Sequence, residues 1–575
     1  MIRRITKILR PNSRLLMSAL VALFFAESFP FLYPLVLRQI IDGSVFAGDF
    51  PLLLRWIFLY SGVVVAHSLF LYLRILFGQH LAIGTTHALR LRMFAHLQKL
   101  PLQYFQKTPV GGLMTRLTND VDAFGALFSD GFLELFSNVT LLIFSMAVML
   151  WMDWRLGLAT LIFFPVLLAI SAWFRTRFRT LQSQYRAELA SLNSFLQESL
   201  NGLGVVRVFG KQQWLLGFFR NRNDAYTHVS LRYGRRYAGF FPLVQTFSDL
   251  SLVSCYVAAI WLIGRGELTA GTLAAFAWIA SIYSRPLRDL SDRINTLQNA
   301  LAAGDRVVEF LETPPEPAPV GSGIVSKLEH HGSNALDFKN LQFAYNPGNN
   351  VLHGISFSVP VGARVALVGP TGCGKSTCLQ LILRFLEPAS GSIDLFGVPL
   401  GQIQATELHR QIAWLGQDPF LFPGTIAENI SLGRAWNEVL FLDICKRAQI
   451  LKMIESFPLG RNTLVGTGGT ELSSGQRQLV AYARALYQDP AILLLDEPTA
   501  SIDASTEWEL NLALQELLQG RTALIVSHRA SSIAVCDRVI CMRQGTIVES
   551  GTHASLMANP GYYAKLFERI SGKIN

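Results

Sequence analysis

The 575 residues hold only six cysteines, at positions 255, 373, 378, 445, 536 and 541, and none forms a paired metal-ligand spacing. That leaves cysteine-based metal sites out of the reading. Five of the six fall in the polar C-terminal half, where a reduced cytosolic domain accounts for them. No internal repeat appears, so one membrane half followed by one further domain is expected. Charge is also scarce. Only 16% of residues are charged, 51% are hydrophobic and the mean hydropathy is +0.33, which is too apolar for a soluble multidomain enzyme. The surplus belongs in a membrane. The net charge of +10 could serve nucleic-acid binding, but the basic residues lie largely in loops flanking apolar segments of the N-terminal half. That is the positive-inside pattern, and no nucleic-acid partner is expected.

Residues 1–14 carry Arg3, Arg4, Lys7, Arg10 and Arg14 without an acid, and an apolar run from Leu15 to Leu37 follows. A cleaved signal peptide has a shorter apolar core, so this reads as a retained first transmembrane helix with a cytosolic N-terminus, kinked at Pro30 and Pro34. Further spans of bilayer length are expected at about 52–77, 127–151, 154–174, 240–263 and 270–290. Six spans return the chain to the cytosol. The outer connections are short, whereas 78–126 and 175–239 are long, basic and helical in pattern, and should project well below the membrane. Breaks are expected at Pro101 and at Pro109-Val110-Gly111-Gly112, each able to present a short crosswise helix.

After Thr313-Pro314-Pro315-Glu316-Pro317-Ala318-Pro319, strands and helices alternate in an α/β pattern. Within it, Gly369-Pro370-Thr371-Gly372-Cys373-Gly374-Lys375-Ser376 fills every fixed position of the phosphate loop G-x-x-x-x-G-K-[ST]. Arg364–Val368 before it reads as a buried strand, and Thr377 to Phe385 after it has helical spacing. The glycines free backbone N–H groups to curl round phosphate oxygens at a helix N-terminus. Lys375 can then reach the β and γ phosphates and Ser376 can hold Mg²⁺. At the same helix start, the positive potential should favour the Cys373 thiolate, with burial opposing it. Farther on, Ile492-Leu493-Leu494-Leu495-Asp496-Glu497 is an apolar strand ending in two carboxylates.

Leu100-Pro101-Leu102-Gln103-Tyr104-Phe105 and Gly111-Gly112-Leu113-Met114-Thr115-Arg116-Leu117-Thr118-Asn119-Asp120-Val121 resemble the first intracellular loop of type I ABC exporters, the group that includes the lipid A flippase and bacterial multidrug exporters. Val206-Arg207-Val208-Phe209-Gly210-Lys211 resembles the second. In the C-terminal half, Leu472-Ser473-Ser474-Gly475-Gln476 resembles the family signature LSGGQ, Ala500-Ser501-Ile502-Asp503 the D-loop, and His528 the switch histidine. Tyr345 resembles the aromatic that stacks on adenine, and Gln417 the glutamine that approaches Mg²⁺ and the attacking water.

The resemblance implies a six-helix all-α transmembrane domain with long intracellular helical extensions over residues 1–311, a linker over 312–335, and an α/β P-loop ABC ATPase domain over 336–575. It implies a half-transporter of the cell (inner) membrane, with its ATPase domain cytoplasmic and ATP and Mg²⁺ as cofactors. Nucleotide would be held by Tyr345 and by Gly369 to Thr377, with Mg²⁺ at Ser376, Gln417 and Asp496. Glu497 would serve as general base, with His528 and Gln417 holding the γ-phosphate and water in line. The signature would close over ATP held by the opposite subunit.

The membrane half says less about cargo. Glu27 and Asp249 are carboxylates at membrane depth, each costing about 2.5–3.5 kcal/mol if turned to lipid, so each should face protein or a water-filled cavity. One reading puts them in the substrate path; the other gives them hydrogen bonds between helices. Drugs, lipids, peptides and siderophores remain open as cargo, import remains open as direction, and an ATP-gated channel or regulatory subunit as a second class. The partner is a second half-transporter, identical or different. Ser474 at a position that is normally glycine, and Thr467 where many exporters carry a glutamate, point to a heterodimer.

Overall fold

The computed structural model describes residues 13–45, 48–283, 285–316, 328, 332–346, 348–496, 504–559 and 561–570. It divides into two compact units, Met1–Lys99 with Pro109–Thr313, and Leu100–Thr108 with Pro314–Asn575.

The first unit is helical. Among the described residues, five helical stretches are long and apolar enough to cross a membrane: Arg14–Val45, Phe50–Leu97, Val110–Met152, Trp154–Phe174 and Gln212–Gly264. In the first of these, Pro30 falls in the 3-10 turn Phe29–Phe31, the local tightening expected of a proline without an N–H. A shorter apolar helix, Ala270–Tyr283, lies within the sixth expected span, and the helix Arg285–Glu312 follows it.

Two helices far exceed bilayer thickness. Phe50–Leu97 has 48 residues and Gln212–Gly264 has 53, or about 70–80 Å at 1.5 Å per residue against a hydrocarbon core of about 30 Å. The breaks fall where the prolines and glycines put them. Pro101 and Pro109, both extended in ψ, flank the short helix Leu102–Lys107. Gly202 and Gly210, the latter at φ 63°, bound Leu203–Val208. The turn at Asp153 is a side-chain cap, with Oδ1 accepting from the N–H groups of Arg155 at 2.8 Å and Leu156 at 3.2 Å.

Inside this unit Phe31, Met149, Leu156, Cys255, Leu262, Phe276 and Ile279 form a closed apolar cluster. In contrast, Phe58, Val65, Leu69 and Ile75 stand exposed along Phe50–Leu97, as a lipid-facing surface must.

The second unit is built on strands β1 (Asn334–Asn346), β2 (Asn349–Pro360), β3 (Arg364–Val368), β4 (Ser390–Leu395), β5 (Val398–Pro399) and β6 (Ile412–Leu415). These are followed by β7 (Gly424–Thr425), β8 (Leu464–Val465), β9 (Ile492–Asp496), β10 (Thr522–Val526), β11 (Arg538–Arg543) and β12 (Thr546–Gly551). An antiparallel sheet runs β2-β1-β4-β5, and a six-stranded sheet runs β12-β11-β3-β10-β9-β6, parallel except at its β12 edge.

The central strands RVALV, ILLLD and TALIV are apolar on both faces because both faces are covered. Alternate residues go to opposite cores: Val365 and Leu367 to one, Ala366 and Val368 to the other. Each fully buried Leu or Ile here stabilises by about 1.5–3 kcal/mol. Leu328, from the proline-rich stretch before β1, is buried in the first of these cores, and its N–H donates to Glu407 Oε1 at 3.2 Å.

Candidate functional site

Strand register brings the sequence-predicted groups to one end of the sheet. Val526 of β10 sits opposite both Leu367 of β3 and Asp496 of β9, and Leu415 of β6 opposite Leu495 of β9. The chain leaves each strand within a residue or two of that level. Gly369 follows Leu367 by two residues, His528 follows Val526 by two, and Gln417 follows Leu415 by two. Four motifs scattered over 160 residues of sequence thus converge at the C-terminal ends of parallel strands, where open α/β sheets bind ligands. Glu497, next after Asp496, and Asp503 lie outside the described residues.

The phosphate loop needs its glycines. Gly372 and Gly374 have φ 81° and 102°, and a Cβ on Gly374 would lie 2.5 Å from Leu352 Cδ2. At Gly369 a Cβ would come within 2.3 Å of the Met542 carbonyl oxygen, so β11 presses on the loop from behind. The following helix spans Lys375–Ile382, two residues ahead of the expected start, and stops short of Phe385 because Arg384 turns to φ 56°.

Lys375 is buried, and its ammonium donates to the carbonyl oxygens of Gly369 at 2.8 Å and Pro370 at 3.0 Å. It closes over the same curl that offers N–H groups to phosphate. Ser376 Oγ is 3.4 Å from Asp496 Oδ1. A hydroxyl and a carboxylate are hard oxygen donors, the set Mg²⁺ takes alongside phosphate oxygens and water, so the residues present fit that ion.

Thr377 is buried, and its Oγ1 is 3.2 Å from the hydroxyl of Tyr345, a residue that is 53% exposed. Gln417 is exposed and His528 half-buried.

Cys373 corrects an expectation. Burial raises its thiol above the ordinary value, outweighing the Lys375 charge that acts the other way from 4.0 Å. The helix start does not make a thiolate. We therefore expect iodoacetamide to label Cys373 at pH 8 at least about tenfold more slowly than free cysteine, with the rate climbing as pH rises and thiolate appears. MgATP should slow it further, and Cys373→Ala should hydrolyse ATP and resist the reagent. Peptide mass spectrometry reads the rates; labelling at the speed of free cysteine would mean the thiolate is favoured after all.

The signature residues open the helix Ser474–Gln488. Ser473 is the N-cap in a capping box: its Oγ accepts from Gln476 N–H at 3.2 Å, while Gln476 Oε1 accepts from Ser473 N–H at 2.9 Å. The Ser473 hydroxyl proton is left to donate outward. Leu472 and Gly475 are buried and Ser473 and Ser474 exposed. Ser474 has an ordinary negative φ, so the backbone itself does not require glycine there.

Sequence reasoning missed Arg484 and Asn429. Arg484 lies on the signature helix, where burial lowers its pKa, and donates to the carbonyl oxygens of Asn429 at 2.8 Å and Phe420 at 3.1 Å. Asn429 in turn binds the N–H and carbonyl oxygen of Phe422, at 2.8 and 2.9 Å. The loop after Gln417 is thereby tied to the helix that carries the signature.

In the membrane unit Glu27 is buried against protein, and Asp249 is exposed, accepting only a Gln245 side-chain hydrogen bond at 2.8 Å within its own helix among the described contacts.

A phosphate-loop ATPase sheet joined in one chain to a unit of membrane-length apolar helices defines an ATP-powered membrane transporter. Residues 16–287 match the ABC transporter transmembrane region and residues 352–500 the ABC transporter ATPase region. The chain is 31% identical over 573 residues to the uncharacterized ABC transporter ATP-binding protein YfiC of Bacillus subtilis, covering 99% of this chain and 94% of that protein. It is 33% identical to an ATP-dependent lipid A-core flippase of Pseudomonas fluorescens over 98% of this chain and 95% of that protein. The solved structure of a bacterial Atm1-family ABC exporter with ATP bound superposes with a TM-score of 0.79 at 25% identity, over 98% of both chains. The chain belongs to the ABC transporter family, with the exporter fold. It is a membrane protein whose ATPase domain binds ATP and couples its hydrolysis to transport, and as a half-transporter it works as a dimer.

Proposed function

We propose that this chain exports a hydrophobic or amphipathic molecule across, or between the leaflets of, the cell (inner) membrane, with its ATPase domain in the cytoplasm. The observation that carries the reading is the shared register level that gathers the phosphate loop, Asp496, His528 and Gln417 at one sheet end in a chain with its own membrane unit. Lys375 leaves the Gly369 and Pro370 carbonyls for the β and γ phosphates; Ser376 and Asp496 would hold Mg²⁺, which would supply charge neutralisation at the transferred phosphoryl group. Glu497 takes a proton from the attacking water. His528 and Gln417 keep that water and the γ-phosphate in line. The exposed Ser473 hydroxyl and the N–H groups of its helix start close on ATP held by the other protomer. Reconstitution in liposomes tests this: ATP-dependent accumulation of an amphipathic dye or labelled lipid is expected, and ATP hydrolysis without movement of any cargo in either direction would favour a channel or regulator.

Asp249 is proposed to face the transport path. Asp249→Asn should change cargo-stimulated ATPase by about threefold or more while basal ATPase is unaltered, as befits a group that meets cargo and not nucleotide. Identical stimulation curves would remove it from the path.

A second reading concerns the partner. Ser474 and Thr467 are both exposed, and both stand in segments that serve the opposite protomer, while Lys375, Asp496, Glu497 and His528 keep the residue types their roles need. That asymmetry favours a heterodimer whose other member carries an intact LSGGQ. Purification of this chain alone decides it: a stable homodimer with cargo-stimulated ATPase makes Ser474 a tolerated substitution.

A further inference from the structure

The helices Phe164–Asn201 and Gln212–Gly264 are zipped by a ladder of rings. Phe240 stacks on Phe174 at 4.1 Å between centroids, Phe174 on Phe178 at 4.8 Å, Phe178 leans on Tyr233 at 4.6 Å, and Tyr233 stacks on Tyr185 at 5.1 Å. At the Phe174–Phe240 end a cavity of about 470 Å³ opens between the two helices. Its walls differ in kind. Trp173, Phe174 and Leu243 form an apolar side; Arg177, Arg235 and Arg236 form a cationic one.

No acidic residue lines the cavity, and none of the three guanidinium groups makes an ion pair with a carboxylate among the described residues. All three arginines are exposed. Such a fork of donors is built for the oxygens of a phosphate.

The level in the chain decides the source of that phosphate. The apolar segment Trp154–Phe174 ends at the cavity, and Arg177 lies one helical turn beyond it. On the other helix the apolar run begins near Phe240, and Arg236 and Arg235 lie one turn before it. The cavity therefore straddles the boundary between hydrocarbon and headgroups. Trp173, 60% exposed, is the interfacial aromatic expected at such a level. Leu243, 42% exposed, continues the apolar wall into the lipid-facing surface. A soluble phosphate would use the arginines and waste that wall.

We propose that this cavity is a binding site for an anionic phospholipid of the adjoining leaflet, its phosphate held by Arg177, Arg235 and Arg236 and an acyl chain laid against Trp173, Phe174 and Leu243. The site is separate from the nucleotide machinery and from Asp249.

Native mass spectrometry of the purified full-length protein, offered equal phosphatidylglycerol and phosphatidylcholine of matched chains, tests it. About tenfold preference for phosphatidylglycerol is expected, since each basic side chain at a charged bilayer surface contributes several-fold. Arg177→Gln/Arg235→Gln/Arg236→Gln should bring the two lipids to near parity. Lys211→Gln/Arg220→Gln/Arg232→Gln, which removes the same charge at the N-cap and in the first half of Gln212–Gly264, outside the cavity, should keep the preference. Should the first triple variant not yield folded protein, Arg177→Gln and Arg235→Gln singly are each expected to lose about threefold. Brominated phosphatidylglycerol should quench a fluorescence component that Trp173→Phe lacks, and a large excess of glycerol 1-phosphate should not displace the lipid. Preference surviving in the first triple variant, equal loss in the control triple, or displacement by the soluble headgroup overturns the proposal, the last in favour of a free phosphate site.

Discussion

Glu497→Gln is expected to leave ATP bound and to lower turnover by at least about 10²-fold, the scale of losing a general base. β9 delivers Asp496 at the register level of Val526 and Leu367, with Ser376 Oγ 3.4 Å from its carboxylate, so the metal side of the site is occupied by Asp496. The next carboxylate along the chain is the remaining candidate to take a proton from water. Glutamine keeps its size and its hydrogen-bonding reach but cannot accept that proton at neutral pH. The ATP-closed dimer should then accumulate, because closure needs ATP and reopening needs hydrolysis. Single-turnover assays and nucleotide-retention measurements on the purified variant check both halves. Near-normal hydrolysis would move the base role to another group, with His528 the first to examine. Loss of ATP binding would instead give Glu497 a structural part in the loop.

What could be read from the sequence had local causes. The phosphate loop was legible because its positive-φ glycines admit few substitutes, and β3 because a strand covered on both faces is apolar at every position. The helix breaks at Pro101 and Pro109 were legible for a similar local reason. The direction of the Cys373 shift was not: motif position supplies the helix terminus and the lysine, but burial depends on β11 and Leu352, which are distant in sequence. Arg484 was invisible for that reason too. Its partners are the carbonyls of a loop more than fifty residues earlier. Membrane-level carboxylates were recognisable as anomalies, while their partners were not, since the pairing runs between three different helices.

That pairing yields the second large expected effect. Arg74 Nη1 is 2.9 Å from Glu27 Oε1 and its Nη2 is 3.0 Å from Glu134 Oε1, so one guanidinium joins three apolar helices. Ser137 Oγ donates to the same Glu27 oxygen and accepts from Arg74 at 3.1 Å. Gly78, one turn from Arg74, permits this approach: a Cβ there would already stand 3.0 Å from Leu133 Cδ1. The Arg74, Glu27 and Glu134 side chains are only 14%, 12% and 27% exposed, so solvent screens them weakly. Beside them lies a cavity of about 70 Å³, large enough for water to share the excess negative charge. Arg74→Met would take the shared guanidinium from two weakly exposed carboxylates in a low-dielectric setting, and the expected cost is about 3 kcal/mol or more of stability. Arg74→Met/Glu27→Gln/Glu134→Gln should recover most of that loss, since neutral amides at the same positions carry no charge to desolvate. Glu27→Gln alone should cost about 1 kcal/mol, because Arg74 keeps Glu134. Chemical unfolding in detergent micelles, paired with cargo-stimulated ATPase, separates the two roles open to Glu27. A stable Arg74→Met variant with altered cargo response would place Glu27 in the substrate path, whereas lost stability rescued by the triple substitution makes the cluster a clamp that holds these three helices together.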